Sequence, residues 1–131
     1  MKARNYSRKR EAILAKIRST NCHPTADWVF GELRGEYPDL SLATIYRNLA
    51  LFKEEGSIVS VGIVGGQERF DGDTEPHGHF VCRECRAVID IDLPVIDPAR
   101  AAMHPEDARR HQIDRVDLTA YGYCAECVKT V

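Results

Sequence analysis

The sequence predicts an α+β fold in two parts, and three observations lead to this prediction. Apolar residues recur with helical spacing in three segments of the first half. The spacing then changes to an alternation of period two around a Gly-Gly pair, which is typical of a β-hairpin. Two Cys-x-x-Cys motifs in the last third predict a small α/β lobe stapled by zinc. We place the boundary between residues 1–72 and 73–131.

Three helices are predicted in the first part. Their apolar positions are Ile13, Leu14 and Ile17, then Ala26, Val29, Phe30 and Leu33, then Leu42, Ile45, Leu49 and Phe52. Ser7 is a possible N-cap of the first helix, and Pro24-Thr25 opens the second. Ser41 is the predicted N-cap of the third helix, and Gly56 stands just past its end.

A hairpin follows the helices. Ser57–Val64 and Gln67–Asp71 are the predicted strands, and Gly65-Gly66 is the turn. Three helices and a hairpin outline a winged helix-turn-helix, in which the third helix enters the DNA major groove. Small and polar residues on the predicted outer face of that helix are suited to contact bases and phosphates. They are Ser41, Ala43, Thr44, Tyr46, Arg47 and Asn48.

Four cysteines in the second part predict a structural zinc site. Cys82 and Cys85 form the first Cys-x-x-Cys motif and Cys124 and Cys127 the second, and 38 residues separate the two motifs. Two thiolates per turn give four sulfurs at the corners of a tetrahedron, the geometry of a closed zinc site. A pair of disulfides is the alternative. The fifth cysteine, Cys22, is expected to be a small buried apolar residue.

Short strands are predicted around these motifs. Alternating apolar residues in His79–Leu93 predict two strands joined by the first motif, and Ile113–Tyr123 predicts another. Pro94–Met103 has a weak helical pattern, and His104–His111 is polar and loop-like.

Charge is divided unevenly along the chain. Residues 1–60 carry 10 Lys and Arg against 7 Asp and Glu, whereas residues 61–131 carry 8 against 13. This division is compatible with phosphate contact at one end and cation binding at the other. No apolar stretch approaches the roughly 18 residues of a membrane span, and no apolar leader precedes Ser7. We therefore expect a cytoplasmic chain without a membrane partner, where thiols stay reduced.

Further residues of metal-ligating type lie outside the cysteine motifs. His77 and His79 repeat on one side of a strand, Asp71 ends the hairpin, and Asp90 follows the first motif. His23 lies before the second helix. Each has a simpler explanation as a hydrogen-bonded or solvated residue, although the His-x-His pair favours metal. The spacing in the sequence alone does not show that His23 belongs to the same site as the His-x-His pair.

Several segments together resemble the ferric uptake regulator (Fur) family, in order from about Ser7 to Cys127. They are His23–Asp27 (HPTAD), Ser41–Leu49 (SLATIYRNL), Glu68–Asp71 (ERFD), His77–Cys82 (HGHFVC) and Tyr121–Cys124 (YGYC). The resemblance implies a homodimeric, metal-dependent repressor of double-stranded operator DNA. It also implies that the winged helix binds the DNA and that the C-terminal lobe dimerises.

Within this family the chain is most similar to the peroxide-sensing branch. That resemblance implies a regulatory Fe(II) or Mn(II) site with the ligands His23, Asp71, His77, His79 and Asp90. Iron sensors typically have glutamate where Asp71 and Asp90 stand. They and zinc sensors also commonly place a histidine in Asp114–Tyr123, where this chain has none. Members of this branch undergo oxidation of one of their own histidines by Fe(II) and peroxide. The resemblance implies that the oxidised residue is His23 or His77.

Three other functions remain open on the sequence. An iron, manganese or zinc sensor of the same family would respond to metal occupancy without peroxide chemistry. A metalloenzyme would need further acids, bases or nucleophiles, and the sequence shows no such cluster, so we expect no enzyme. An interaction module stabilised by zinc would leave the histidines, the aspartates and the helix-turn-helix pattern unexplained. The short segment Met1–Tyr6 also puts the family's usual N-terminal DNA contacts in question.

Overall fold

The computed structural model describes residues 2–75, 77–92, 103–114 and 116–130. The chain divides into two compact units, Met1–Glu75 (the first unit) and Pro76–Val131 (the second unit). The helical pattern and the hairpin lie in the first unit, and both cysteine motifs lie in the second. The predicted α+β class is confirmed.

The first unit contains the three predicted helices, α1 (Lys2–Arg18), α2 (Ala26–Leu33) and α3 (Leu42–Glu55). The first helix begins earlier than expected, so the prediction of Ser7 as its N-cap is wrong. Lys, Ala and Arg between residues 2 and 6 favour helix, and no Gly or Pro interrupts them. The helix therefore extends back to Lys2.

Local capping sets the ends of the next two helices. The Thr25 hydroxyl accepts a hydrogen bond from the Trp28 N–H at 3.0 Å, and the Ser41 hydroxyl accepts one from Thr44 at 3.1 Å. Each bond satisfies an N–H that the first helical turn leaves without a partner. Gly56, with a φ of 80°, ends α3 in the left-handed conformation that glycine adopts readily.

The predicted hairpin is also present. Strands β1 (Val59–Val64) and β2 (Gln67–Asp71) pair antiparallel. Gly65 and Gly66 have φ values of 63° and 85°, as a two-residue turn of type I′ requires. The register shifts between Ser60 and Gly62, which marks a bulge in β1.

One apolar core holds the first unit together and fixes the end of β2. Its buried side chains are Ile13, Ile17, Ala26, Val29, Leu33, Leu40, Ile45, Leu49, Phe52, Ile58 and Phe70. Phe70 is 3% exposed, and its N–H donates to the Pro24 carbonyl at 3.0 Å. The end of β2 is therefore held beside the loop that precedes α2.

The second unit is built on a three-stranded sheet in the order β4–β3–β5. Strand β3 (Gly78–Cys82) lies in the centre, antiparallel to β4 (Val88–Ile91) and parallel to β5 (Thr119–Gly122). The two strands predicted around the first cysteine motif are thus present. A short 3₁₀ helix, Val128–Thr130, follows the second motif.

Two predictions for the second unit differ from the structure. Among the described residues of Ile113–Tyr123, the predicted strand is limited to β5, since Asp114 and Asp117 disfavour strand. The segment predicted as a loop at His104–His111 contains helix α4 (Pro105–Arg110).

Charge placement explains α4. Proline opens the helix, acidic residues occupy its first turn and basic residues its last, as the helix dipole favours. Since none of its residues is buried, no apolar stripe marked it in the sequence. The predicted helix Pro94–Met103 lies, except for Met103, outside the described residues.

Gly72 allows the chain to pass close to α1, which gives a test of this packing. A Cβ at Gly72 would lie 2.9 Å from both Cα and Cγ of Arg18. We expect Gly72→Ala to lower the free energy of unfolding by about 1–3 kcal/mol, because the backbone must shift. Urea denaturation measures this change.

Gly31→Ala is the matched control. Nothing lies within 4 Å of a Cβ at Gly31, which is on α2. This substitution should raise the free energy of unfolding by roughly 0.5–1 kcal/mol, because alanine favours helix. Equal stability of the two variants would contradict the close approach at Gly72.

Candidate metal centres

The parallel pairing of β3 and β5 makes the two cysteine motifs neighbours. Cys82, the last residue of β3, lies opposite Gly122, the last residue of β5. The Arg83 N–H donates to the Gly122 carbonyl at 2.8 Å. Because the carboxyl ends of parallel strands meet at one edge of a sheet, Cys124 arrives beside the first motif.

The four cysteine sulfurs have the spacing of zinc ligands. The sulfurs of Cys82, Cys85, Cys124 and Cys127 all lie within 4.8 Å of one another. The Cys85 and Cys124 sulfurs are 3.8 Å apart. Ligands of a tetrahedral zinc ion with bonds of about 2.3 Å lie about 3.8 Å apart. No disulfide joins the described cysteines, so the disulfide alternative is wrong and the cluster fits structural zinc.

The cluster is arranged to carry negative charge that a cation neutralises. Backbone N–H groups of Cys124 and Cys85 donate to the Cys82 sulfur at 3.4 and 3.5 Å and lower its pKa to about 6. A hydrogen bond with the Cys124 side chain, together with desolvation, raises the pKa of Cys127 to about 12. The Cys82 thiol therefore loses its proton readily, whereas deprotonation of Cys127 is unfavourable. A bound divalent cation would stabilise both thiolates by neutralising their negative charge.

Zinc removal provides a direct test. We expect Cys124→Ser to lose bound zinc and the cooperative unfolding transition of the second unit, because structural zinc supplies folding free energy. The first unit, which has its own core, should keep its transition. Elemental analysis and scanning calorimetry measure the two effects.

Cys22→Ser is the matched control, since Cys22 lies outside the cluster. It should keep both the zinc and the second transition. A Cys124→Ser protein with full zinc content and an unchanged melting profile would contradict the zinc site.

Two of the predicted regulatory ligands, His23 and Asp71, form a buried pair in the first unit. They are 2% and 6% exposed, and His23 Nε2 lies 3.2 Å from Asp71 Oδ2. His23 has a φ of 56°, a left-handed conformation that costs a non-glycine residue about 1–2 kcal/mol. Strain of this kind persists only where the surrounding structure holds it.

The backbone around His23 is held by Arg69 of β2. Arg69 Nε donates to the His23 carbonyl, and Nη2 donates to the Cys22 carbonyl at 2.7 Å. Cys22 itself is exposed, so the expectation of a buried apolar residue is wrong. Its loop joins α1 to α2.

The other three predicted ligands gather in the second unit. The register of β3 and β4 places His79 opposite Asp90. Asp90 Oδ1 lies 3.1 Å from His77 Nε2 and 3.4 Å from His79 Nε2. The two imidazole ring centroids are 4.5 Å apart. Two imidazoles therefore converge on one carboxylate oxygen.

Both sets contain the donors that Fe(II) and Mn(II) accept. Imidazole nitrogen and carboxylate oxygen suit these ions, whereas thiolates favour zinc. Adjacent ligand atoms around an octahedral ion with bonds of about 2.1 Å lie about 3.0 Å apart. The His23–Asp71 and His77–Asp90 separations of 3.2 and 3.1 Å are close to this value. That one ion takes all five ligands stays a prediction.

The predicted DNA-contacting face of α3 is largely exposed, with one exception. Ser41, Ala43, Tyr46 and Arg47 are exposed, and Thr44 is half-buried. Asn48 is 1% exposed, and its Nδ2 donates to the Thr44 carbonyl at 2.9 Å. The expectation that Asn48 lies on the outer face is wrong, because the helical period turns it inward with Ile45 and Leu49.

No motif in the sequence marks Arg69 as part of a site. Its side chain is not a metal ligand, and its partners are backbone carbonyls 46 and 47 residues away. The one signal in the sequence is that Arg69 belongs to the segment Glu68–Asp71, which also contains the predicted ligand Asp71.

The fold and these donor sets define a class of protein, the metal-responsive regulators that bind DNA through a winged helix. Within that class, the chain belongs to the ferric uptake regulator family, whose sequence model matches residues 2–121. Members of this family are dimeric DNA-binding transcriptional repressors, not enzymes. The predicted family membership is confirmed. Among the described residues, no helix has the length and apolar character that crossing a membrane requires.

Relatives come from both the peroxide-responsive and the iron-responsive branches. The peroxide-responsive repressor PerR of Staphylococcus aureus is 34% identical over 120 residues, which span 91% of this chain and 79% of that protein. The Campylobacter jejuni peroxide stress regulator has a TM-score of 0.79 at 27% identity, covering 94% of this chain and 91% of that one. The Vibrio cholerae ferric uptake regulator has a TM-score of 0.68 at 28% identity, covering 88% of each chain.

Proposed function

We propose that this protein is a metal-dependent repressor that senses hydrogen peroxide through oxidation of its own histidine ligands. The proposal rests on the type of the predicted metal ligands. Both predicted carboxylate ligands are aspartates, and each contacts at least one histidine. Similarity to a protein named as a peroxide-responsive repressor supports it. The protein would act in the cytoplasm as a homodimer on operator DNA, as a single-use sensor without turnover.

The proposed regulatory ion takes ligands from both units. His23 and Asp71 would come from the first unit, and His77, His79 and Asp90 from the second. Three imidazoles and two carboxylates form a harder donor set than four thiolates, so Fe(II) or Mn(II) would bind here while zinc stays with the cysteines. Five protein ligands would leave room at the ion for peroxide to bind.

The chemical step is confined to the ligands themselves. A bound Fe(II) ion supplies the redox chemistry that cleaves the O–O bond of peroxide. In the net reaction one oxygen atom passes from hydrogen peroxide to a histidine ring carbon, and one water molecule is released. His23 and His77 are the proposed acceptors. An oxidised imidazole is a weaker ligand, so the ion would be lost.

Metal loss would lower DNA affinity through the connection between the units. An ion with ligands in both units favours one arrangement of the winged helix over others. A hundredfold change in DNA affinity needs only about 2.7 kcal/mol of such preference. The proposed DNA contacts are Ser41, Ala43, Thr44, Tyr46 and Arg47 of α3. Asn48 is left out because it is buried.

The first test removes one regulatory ligand. We expect His23→Ala to keep its zinc and its dimeric state but to lose about 100-fold or more of its Mn(II)-stimulated operator affinity. The operator is first selected from random-sequence DNA with the Mn(II)-loaded protein. Fluorescence anisotropy then measures the affinity with and without Mn(II).

His111→Ala is the control for this test, because His111 is an exposed histidine outside both ligand sets. It should bind the operator as the unaltered protein does. Unchanged Mn(II)-stimulated binding by His23→Ala would argue against the proposed site.

The second test maps the oxidation. The Fe(II)-loaded protein receives about one equivalent of hydrogen peroxide without oxygen, and its peptides are analysed by mass spectrometry. We expect one added oxygen atom on the peptide that contains His23 or His77. The Mn(II)-loaded protein should remain unmodified.

Intact histidines after complete oxidation of Fe(II) would favour the second candidate, a sensor that responds only to metal occupancy. The similarity to the Vibrio cholerae ferric uptake regulator is the observation that supports this candidate. Repeated peroxide consumption per iron would instead indicate an enzyme.

A further inference from the structure

We infer that Arg69 is a positioning residue for His23, one that holds the imidazole ready for metal before the ion arrives. The inference rests on the proposed function, in which His23 is a ligand of the regulatory ion. Arg69 itself would not bind the metal. It acts through the two backbone carbonyls that it contacts, those of Cys22 and His23.

The geometry of the contact suits a guanidinium group. Nε and Nη2 lie on one edge of the planar group, and each donates to one of two consecutive carbonyls. Charge-assisted hydrogen bonds of this kind are stronger than neutral ones, and the planar fork fixes direction as well as distance. A lysine offers a point charge in the same place without that fork.

The loop at His23 needs such a partner. His23 has a φ of 56°, which a residue other than glycine seldom adopts without support. Within the loop, the Cys22 N–H donates a hydrogen bond to the Thr20 hydroxyl at 3.1 Å. The bonds from Arg69 therefore hold the residue in a conformation that its own sequence does not favour.

Strand β2 holds this loop at three successive residues. Arg69 contacts the carbonyls of Cys22 and His23, the Phe70 N–H donates to the Pro24 carbonyl, and Asp71 contacts the His23 imidazole. Phe70 is anchored in the core of the first unit. Both the backbone and the ring of His23 are thus tied to one strand anchored in the core, which lowers the entropic cost of ordering the ligand when metal binds.

The direction in which metal affinity changes when Arg69 is replaced distinguishes a positioning role from a purely electrostatic one. Arg69 carries a positive charge near a group that would bind a cation, so Coulomb repulsion alone predicts that its removal strengthens metal binding. Positioning predicts the opposite. The direction of the change in affinity therefore decides between the two.

The experiment compares the Mn(II) affinity of Arg69→Gln with that of the unaltered protein. Free Mn(II) is followed by electron paramagnetic resonance during titration of the zinc-containing full chain. We expect Arg69→Gln to bind Mn(II) about 10- to 100-fold more weakly, the usual loss when a partner that orients a ligand is removed. Zinc content should stay the same. The Mn(II) affinity of Arg69→Lys should lie between those of Arg69→Gln and the unaltered protein.

Arg10→Gln is the matched control. Arg10 is also a partly exposed arginine of the first unit, and its Nη2 lies 2.5 Å from Glu55 Oε1. This variant loses an ion pair of the same unit without touching the His23 loop, so its Mn(II) affinity should not change. A loss equal to that of Arg69→Gln would overturn the inference, because a general loss of stability would then explain both.

His23→Ala makes the two possible failures distinguishable. If it binds Mn(II) as tightly as the unaltered protein, the proposed site itself is wrong. If it binds weakly while Arg69→Gln binds equally or more tightly, the site stands and the positioning role is overturned. Should circular dichroism show that Arg69→Gln is unfolded, Arg69→Lys decides, and an unchanged affinity in that folded variant overturns the inference.

Discussion

The second unit depends on four cysteine side chains that lie close enough together to fit structural zinc. Among its described residues, the buried apolar side chains are only Val81, Cys82 and Val88, so the unit has a small core and gains little from burial. Structural zinc contributes roughly 10–16 kcal/mol in isolated zinc-finger peptides, which is the size of a whole domain's stability. The parallel pair β3–β5 gathers the four sulfurs, and a zinc ion bound to them would fix that pair.

Strand β3 carries both kinds of metal donor in the second unit. Cys82 lies at its end, and His79 lies three residues earlier, opposite Asp90 of β4. Zinc bound at the end of β3 would therefore also fix the strand that presents His79. The two sets are kept apart by donor type, since sulfur holds zinc while nitrogen and oxygen accept harder divalent ions.

Strand β2 plays the corresponding part in the first unit. Its side chains alternate, so that Phe70 enters the apolar core while Arg69 and Asp71 on either side of it contact the His23 loop. The core thus supports the ligand pair through one strand. A shift of this strand by one residue would exchange the two faces and separate His23 from its carboxylate partner.

Features that depend on neighbouring residues can be derived from the sequence alone. The apolar period, the caps Thr25 and Ser41, the Gly65-Gly66 turn and the cysteine spacing all report interactions within a few positions of the chain. Such patterns predicted the α+β class and the zinc ligands. Tertiary packing alone decided that Cys22 is exposed and that Arg69 holds carbonyls 46 and 47 residues away. These contacts arise when β2 docks beside a distant loop, and no local pattern encodes that docking.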